Sequence, residues 1–290
     1  MLYFIVNALS GKGKGNETAQ KIKDILSAKK VQFQMVFTKA KEHATALARE
    51  LSKKADCSGI VAVGGDGTFS EVLNGIDTNV PLGFVSSGSG NDFMRTFRPS
   101  ASLEELLEPI ISNRTQKIDF LEINGKRSLN VAGTGFDVDV LLTEAKTHKF
   151  LSGSLSYYTA LLITLFNLKF RRFNITVDNS IKIDENCLLI SMANGRYFGG
   201  GMPISIGSEL NDGLMELVII RKLPFYSVPG MLIKFMKGKL QEVTKYVDVY
   251  HCTKVEGSVT PNVKFNLDGE LFDMPEFTAV LHRSELTVFG

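Results

Sequence analysis

Cysteine is scarce in this chain: Cys57, Cys187 and Cys252 are the only three in 290 residues. They are widely spaced and form no CxxC pair, and His251 is the one histidine beside any of them. That leaves neither a disulfide framework nor a zinc-ligand pattern, and it fits a reducing cytosol. Histidine is sparse too; His43, His148, His251 and His282 fall in no catalytic spacing, and each reads as a surface or packing residue. Charge of one sign is missing: 33 Lys and Arg against 31 Asp and Glu leave a net +2. So small an excess gives no field for nucleic acid, and an anionic partner has to be met by a local patch.

Long apolar runs are also lacking. The stretch Met1 to Asn7 has no basic region before it and is too short for a signal peptide, so it reads as a first strand. Leu155 to Phe170 is the most apolar segment, but it runs for roughly 16 residues where a bilayer asks for about 20, and it contains Asn167. It reads as a buried helix. With 44% hydrophobic and 22% charged residues and no low-complexity tract, the composition is that of a globular protein long enough for two domains.

Up to about residue 120, strand-like runs at 2–7, 31–37, 59–63 and 81–86 alternate with amphipathic stretches. Ala19, Ile22, Ile25 and Leu26, then Ala44, Leu47, Ala48 and Leu51, recur at helical spacing. Such alternation predicts a doubly wound, mostly parallel α/β sheet, whose ligands bind beyond the carboxyl ends of the strands. From 121 to 283 the texture changes to short strands punctuated by Asp178-Asn179, Asn194-Gly195, Asn211-Asp212-Gly213, Pro261-Asn262 and Asp268-Gly269. Helical stretches near 137–147, 154–169 and 224–237 interrupt them, and the whole predicts an antiparallel β-sandwich-like domain. The last strand, within 284–290, can belong to either domain.

Four polar or glycine-rich loops follow the predicted parallel strands. Gly64-Gly65-Asp66-Gly67-Thr68 lacks the Cβ atoms that hold an anion away from backbone N–H groups, and Thr68 is placed to cap the next helix, whose N-terminus favours negative charge. Alone, it is equally a tight turn. Ser10-Gly11-Lys12-Gly13-Lys14-Gly15-Asn16 is basic and glycine-rich, yet it fails the Walker pattern because position 16 is Asn. Asn16 reads as a helix cap. Thr38 follows the second strand, and Ser86 to Phe93 forms a fourth rim with a helix-capping Asn91-Asp92 pair.

Taken in order, Asn7-x-x-Ser10-Gly11, Gly64 to Thr68, Gly88 to Phe93, Ala193 to Pro203 (ANGRYFGGGMP), Asn211-Asp212-Gly213 and Leu267-Asp268-Gly269-Glu270 resemble the bacterial diacylglycerol kinase family of soluble lipid kinases, related to sphingosine and ceramide kinases. The resemblance spans essentially the whole chain. Gly-Gly-Asp-Gly-Thr is shared with NAD kinases and phosphofructokinases, whereas the 193–203 block and Asp-Gly-Glu are more specific. Ala8 stands where the family usually has Pro, and Ser89-Gly90 replaces a more common Thr and small residue.

The resemblance implies ATP in the interdomain cleft against Leu9, Ser10, Gly11, Lys12, Gly13, Thr38, Gly64, Gly65, Asp66, Gly67, Thr68, Phe69, Ser70 and Ser89. Asp66 acts through Mg²⁺, since a bare carboxylate repels a triphosphate. A second, structural Mg²⁺ is implied on the Asp212 carboxylate and the backbone carbonyls of Glu209 and Leu214. Glu270 is implied as proton acceptor and Asp268 as coupled to the metal network, with the two roles exchangeable. Their i, i+2 spacing puts both on one face of an extended backbone, or splays them if Gly269 turns. Asp268→Ala and Glu270→Ala are expected to lose turnover while staying folded. The implied reaction makes phosphatidate from diacylglycerol at the inner, cytoplasmic face of a membrane, reached through Lys12 and Lys14, Lys169 to Arg172, or Lys234, Lys237 and Lys239. Phosphatidylglycerol or a sphingoid base as acceptor, a non-catalytic nucleotide-binding regulator, and an NAD kinase are the alternatives. Oligomeric state, a homodimer included, stays open.

Overall fold

The computed structural model describes residues 1–88, 90–147, 154–261 and 264–290; Ser89, His148 and Asn262 lie outside the described residues. The first half runs β1 (Leu2–Val6), α1 (Lys14–Ala28), β2 (Phe33–Phe37), α2 (His43–Leu51), β3 (Gly59–Gly64), α3 (Asp66–Leu73), β4 (Leu82–Ser86), α4 (Asp92–Phe97) and α5 (Leu103–Ile111). Strands β2, β1, β3 and β4 pair in parallel in that order. β1 is buried along its whole length because both its faces are covered, which is why it reads as an unbroken apolar run. Leu2, Phe4 and Val6 pack on Ile22 and Leu26 of α1, while Tyr3 and Ile5 pack with Ala48 of α2 and Phe69 of α3.

The second half opens with β5 (Thr115–Ile123), β6 (Lys126–Ser128) and β7 (Val131–Gly135), then α6 (Phe136–Thr147) and α7 (Ser154–Leu165). It continues through β8 (Arg171–Val177), β9 (Ile181–Ala193), β10 (Tyr197–Phe198), β11 (Met202–Pro203), β12 (Met215–Arg221) and α8 (Val228–Met236). It closes with β13 (Val247–Cys252), β14 (Lys254–Thr260), β15 (Lys264–Leu267), β16 (Glu270–Asp273) and β17 (Glu276–Phe289). The ladder β16-β15-β7-β9-β8-β14-β17 is antiparallel throughout, with β12 and β13 branching from β9. One apolar cluster, including Phe173, Phe265 and Phe277, fills the sandwich, and a second seats α8 against the outer face through Val228 and Met231.

β17 serves both layers. Its first part pairs with β14 through Glu276 to Val280, and after a register shift between His282 and Leu286 its end pairs in parallel with β4, Val288 opposite Leu82. Phe289 packs against the parallel sheet: a Cβ at Gly59 would lie 2.5 Å from its ring. The ring therefore needs a glycine on β3.

Several local readings change. Helix α1 starts at Lys14 with Gly13 in the capping position, so Asn16 lies inside the helix. Gly65, extended, caps α3, and Thr68 instead lies in its first turn, where its Oγ1 accepts a hydrogen bond from Asn7 Nδ2 at 3.2 Å. Asn91 caps α4 by position only; its amide donates to Gly88 O. The apolar stretch read as a buried helix is α7, buried at Ala160, Leu161 and Thr164 but exposed at Leu162, Ile163 and Phe166. Its inner side packs on α6 and its outer side has no covering element among the described residues. Within the basic run 169–172, Arg171 is buried in a bidentate pair with Asp139, at 2.8 and 2.7 Å, and Arg172 is tied to Asp184. Lys234 and Lys239 both pair with Glu242. These pairs remove much of the charge that the linear sequence displays as free clusters.

Candidate active site

The loops after β1, β2, β3 and β4 meet at one edge of the parallel sheet. After β1 the chain reverses through Gly11 (φ 58), Lys12 (φ 61) and Gly13 (φ 95), a left-handed run that favours glycine. Gly11 is also fixed by contact, since a Cβ there would sit 1.9 Å from Ser87 O. Ser10 Oγ accepts or donates to Ser87 Oγ at 2.6 Å and donates to Asn7 O at 2.9 Å, so the first and fourth loops are laced together. Gly65 and Gly88 face one another; a Cβ on Gly88 would be 2.7 Å from Gly65 Cα.

Between these loops lies an open cleft of about 550 Å³, lined by Leu9, Ser10, Gly11, Thr38, Gly65, Asp66, Gly67 and Thr68, with Lys39 and Lys41 on its wall. Gly64, Phe69 and Ser70 stand behind it: Gly64 is held against Thr68, where a Cβ would come 2.3 Å from Oγ1, and Phe69 and Ser70 are buried in α3. Lys12 and Gly13 continue the first loop at its mouth. A Cβ at Gly67 would meet nothing within 4 Å, so this glycine borders the open cleft and no packing contact requires it. Gly67→Leu is accordingly expected to fold normally and to weaken nucleotide binding by at least about tenfold; calorimetric titration with ATP beside a thermal melt checks it.

A second, narrower cavity of about 170 Å³ lies between the two halves and is lined by Asp66, Asp92, Asp137 and Asp268 with Asn130 and Asn266. Asp66 borders both spaces. It leads α3, and its Oδ1 accepts from the Phe93 N–H at 3.2 Å. Asp92 is buried; Oδ2 accepts from Gly200 N at 2.8 Å, Arg95 Nε stands 3.7 Å from Oδ1, and Oδ1 has no hydrogen-bond partner. Burial pushes its carboxyl up, the Gly200 N–H opposes this, and the Asp66 charge adds to it. The glycines of the 193–203 block thus reach across to α4, as does Arg196, whose N–H donates to Thr96 Oγ1 at 3.0 Å. Asn194, fully buried, donates to Asp119 O and Leu129 O.

Asp268 and Glu270 splay. Asp268 (φ 49) and Gly269 (φ 94) form the turn between β15 and β16, and the two carboxylates leave it in different directions. Asp268 accepts from Ser128 Oγ (2.9 Å) and from the N–H groups of Leu129 (2.8 Å), Asn130 (3.1 Å) and Val131 (3.0 Å). Burial still pushes it up to about 6 against those donors. Glu270, half-buried, pairs across the domains with Lys41, Oε1 to Nζ 3.2 Å.

Asp137 has no counterpart among the residues expected from sequence. It opens α6, its Oδ2 accepts from Asn266 Nδ2 at 3.1 Å, and its Oδ1 is buried without a partner. The signal was there: two acids, Asp137 and Asp139, in an otherwise apolar segment after Gly-Thr-Gly. Burial pushes Asp137 up to about 6 from 3.8. A carboxyl raised on folding contributes stability fully present below about pH 4 and lost as pH rises through about 6. Asp137→Asn is therefore expected to melt above the parent at pH 7 to 8, with the gap, at most about 3 kcal/mol, closing towards pH 4.

At the expected structural metal site, Asp212 Oδ1 accepts from Leu214 N at 2.9 Å, and Glu209 and Leu214 lie exposed beside it. Asp119, fully buried and unforeseen, pins this turn by accepting from Gly213 N (2.7 Å) and Ser284 N (2.6 Å). Among the described residues no three acidic, His or Cys groups cluster tightly enough to chelate an ion.

Comparison with known proteins matches residues 1–123 to the diacylglycerol kinase catalytic domain and residues 130–289 to the YegS C-terminal NAD kinase beta sandwich-like domain. The chain belongs to the bacterial diacylglycerol kinase family of soluble lipid kinases. A Staphylococcus haemolyticus protein described as a lipid kinase is 27% identical to this family member over 75% of the chain and 71% of its own length. A diacylglycerol kinase structure from Bacillus anthracis superposes with TM-score 0.80 at 23% identity, covering 99% of this lipid-kinase chain and 96% of its own. An NAD kinase from Archaeoglobus fulgidus in complex with ATP shares the fold at TM-score 0.56 and 14% identity, with 100% and 94% covered. Both the parallel α/β half and the sandwich half of this kinase are thus those expected.

Proposed function

We propose that this lipid kinase transfers the γ-phosphoryl group of ATP to the free hydroxyl of diacylglycerol, giving phosphatidate and ADP. One observation carries the reading: Asp66 stands where an open, glycine-lined cleft meets a narrower cavity lined with carboxylates. The cleft suits a triphosphate, with N–H-rich loops, the N-terminus of α3 and Lys39 and Lys41 on its wall. Leu9 to Gly13, Thr38 and Gly65 to Thr68 hold the nucleotide there, with Gly64, Phe69 and Ser70 supporting the loop from behind.

Mg²⁺ fits beside Asp66, because the unpartnered buried Oδ1 of Asp92 lies in the same cavity and one or two carboxylates with substrate phosphates satisfy its preferences. When bound it neutralises the transferring phosphoryl group. The Asp212 carboxylate with the Glu209 and Leu214 carbonyls is a hard-oxygen set suited to a second, structural Mg²⁺.

The lipid hydroxyl enters the carboxylate-lined cavity. Its oxygen bonds to the γ-phosphorus as the bridge to the β-phosphate breaks, and its proton passes to a carboxylate. Of the expected pair, Asp268 lines that cavity, and its raised affinity for a proton favours it as the acceptor. Glu270 then holds Lys41 at the nucleotide cleft. The kinase works at the cytoplasmic face of a membrane; no described helix is long and apolar enough to cross one. Lys12, Lys14, Lys169 and Lys237, free of ion pairs among the described residues, supply its attraction to anionic lipid, about 1 kcal/mol each.

Incubation with labelled ATP, Mg²⁺ and separate samples of diacylglycerol, phosphatidylglycerol, a sphingoid base and NAD tests the reading. Label is expected in phosphatidate. Label in NADP, or ATP binding with no transfer to any lipid, overturns it.

A further inference from the structure

A pocket of about 420 Å³ lies beside the loop between β4 and α4, lined by Ser86, Arg95, Arg98, Ser100 and, from the second half of the chain, Tyr197. Its size is that of a small-molecule site. Ser86 and Asn91, at the two ends of the loop, face this pocket, while Gly88 and Gly90 between them line the glycine-lined cleft, so one loop walls both spaces. No described residue belongs to both linings, and none is shared with the carboxylate cavity.

Two guanidinium groups meet in this pocket and no carboxylate lines it. Arg95 is held in place: Nε donates to Gly90 O at 3.3 Å and stands 3.7 Å from Asp92 Oδ1, and the guanidinium lies against Gly201, where a Cβ would come 3.2 Å from Cζ. Its terminal nitrogens make no hydrogen bond among the described residues. Arg98 forms no ion pair among them either, and its Cζ stands 5.9 Å from the centre of the Phe97 ring. Like charges on neighbouring turns repel, so the pair stands at a cost that an anion between them removes. The hydroxyls of Ser86, Ser100 and Tyr197 also make no hydrogen bond among the described residues. Polar groups gathered in a pocket and left unused call for a ligand with acceptor oxygens.

We propose that this pocket binds a phosphate ester, its oxygens held by the forks of Arg95 and Arg98 and by the three hydroxyls. Guanidinium groups grip phosphate through paired, charge-assisted N–H donors, and the hydroxyls serve the oxygens that remain. The cavity lined by Asp66, Asp92, Asp137 and Asp268 repels the same ligand. Arg95 and Arg98 belong to the first half of the chain and Tyr197 to the second, so the bound ester bridges the two. It arrives free in solution or as the headgroup of an anionic lipid, and the chemistry that recognises it is the same. The inference does not depend on which acceptor the kinase phosphorylates.

Calorimetric titration of glycerol 1-phosphate, and separately of dihexanoylphosphatidylmethanol, into the protein saturated with ADP and Mg²⁺ tests the site. ADP keeps the glycine-lined cleft occupied, and the phosphatidylmethanol has no hydroxyl to be phosphorylated. One equivalent is expected to bind. Arg95→Gln and Arg98→Gln are each expected to weaken binding at least about tenfold, and Tyr197→Phe about threefold. Arg98→Gln is expected to leave ADP affinity and melting temperature unchanged, which separates loss of the site from loss of the fold. Tighter binding of the phosphatidylmethanol assigns the pocket to a lipid headgroup, and tighter binding of glycerol 1-phosphate assigns it to a soluble ester. No binding of either compound, binding seen only without ADP, or binding that survives intact in folded Arg95→Gln and Arg98→Gln overturns the inference.

Discussion

Asp268→Ala is expected to cost the protein about 3 kcal/mol of stability in addition to its activity. The carboxylate gathers one hydroxyl and three successive backbone N–H groups from Leu129 to Val131, and alanine leaves those donors unmatched at a half-buried turn. Each buried donor left without a partner costs about 1–3 kcal/mol, and partial access to water trims the total. That is a large share of a typical folding free energy of about 5–15 kcal/mol. The alanine variant therefore cannot serve alone as a test of catalysis, even where it stays folded. Glu270→Gln provides the contrast: its partner Lys41 is largely exposed, and losing such a pair changes stability by at most about 1 kcal/mol. Urea denaturation of both variants beside the parent checks the difference. A change below about 1 kcal/mol in Asp268→Ala would refute the structural half of its role.

The second large effect is on rate. Asp66→Asn keeps an oxygen for the Phe93 N–H and so retains the entry to α4, but it removes the charge at the junction of the glycine-lined cleft and the inner cavity. Turnover is expected to fall about 10³-fold, the scale of losing one positioned electrostatic group, with the melting temperature unchanged. Titrating Mg²⁺ at fixed ATP gives a readout that a purely structural role does not move: the metal dependence of the residual rate shifts to higher concentration. An Asp66→Asn enzyme with parental kcat and parental Mg²⁺ dependence removes Asp66 from the site.

Much of this arrangement is written locally. The parallel layer is legible because β1 and β3 are buried on both faces and so appear as unbroken apolar runs beside amphipathic helices. The glycines at 11, 65 and 67 are legible because left-handed backbone, close approach and open cleft each exclude side chains. What stays hidden depends on partners distant in the chain. Asp137 and Asp92 look like ordinary helix-start acids until the fold buries an oxygen of each without a partner. Arg171 looks like part of a basic surface run until Asp139 is seen beside it. The outward-facing side of α7 cannot be told from a core face by periodicity, since the helix is apolar nearly all round.

The dual membership of β17 has a consequence for biosynthesis. Leu286 and Val288 belong to the same apolar cluster as Tyr3 and Ile5, and Phe289 to that of Leu2 and Phe4. Strand β1, translated well before β17, therefore waits for residues 286–289 before its layer is complete, and the sandwich is translated in between. The amino-terminal half must persist as an unfinished sheet with β4 lacking its neighbour, a species whose open edge invites pairing with other chains. Its protection during translation falls to chaperones or to speed of synthesis, and stalling before residue 286 is the point at which nascent chains of this kinase are most exposed to aggregation.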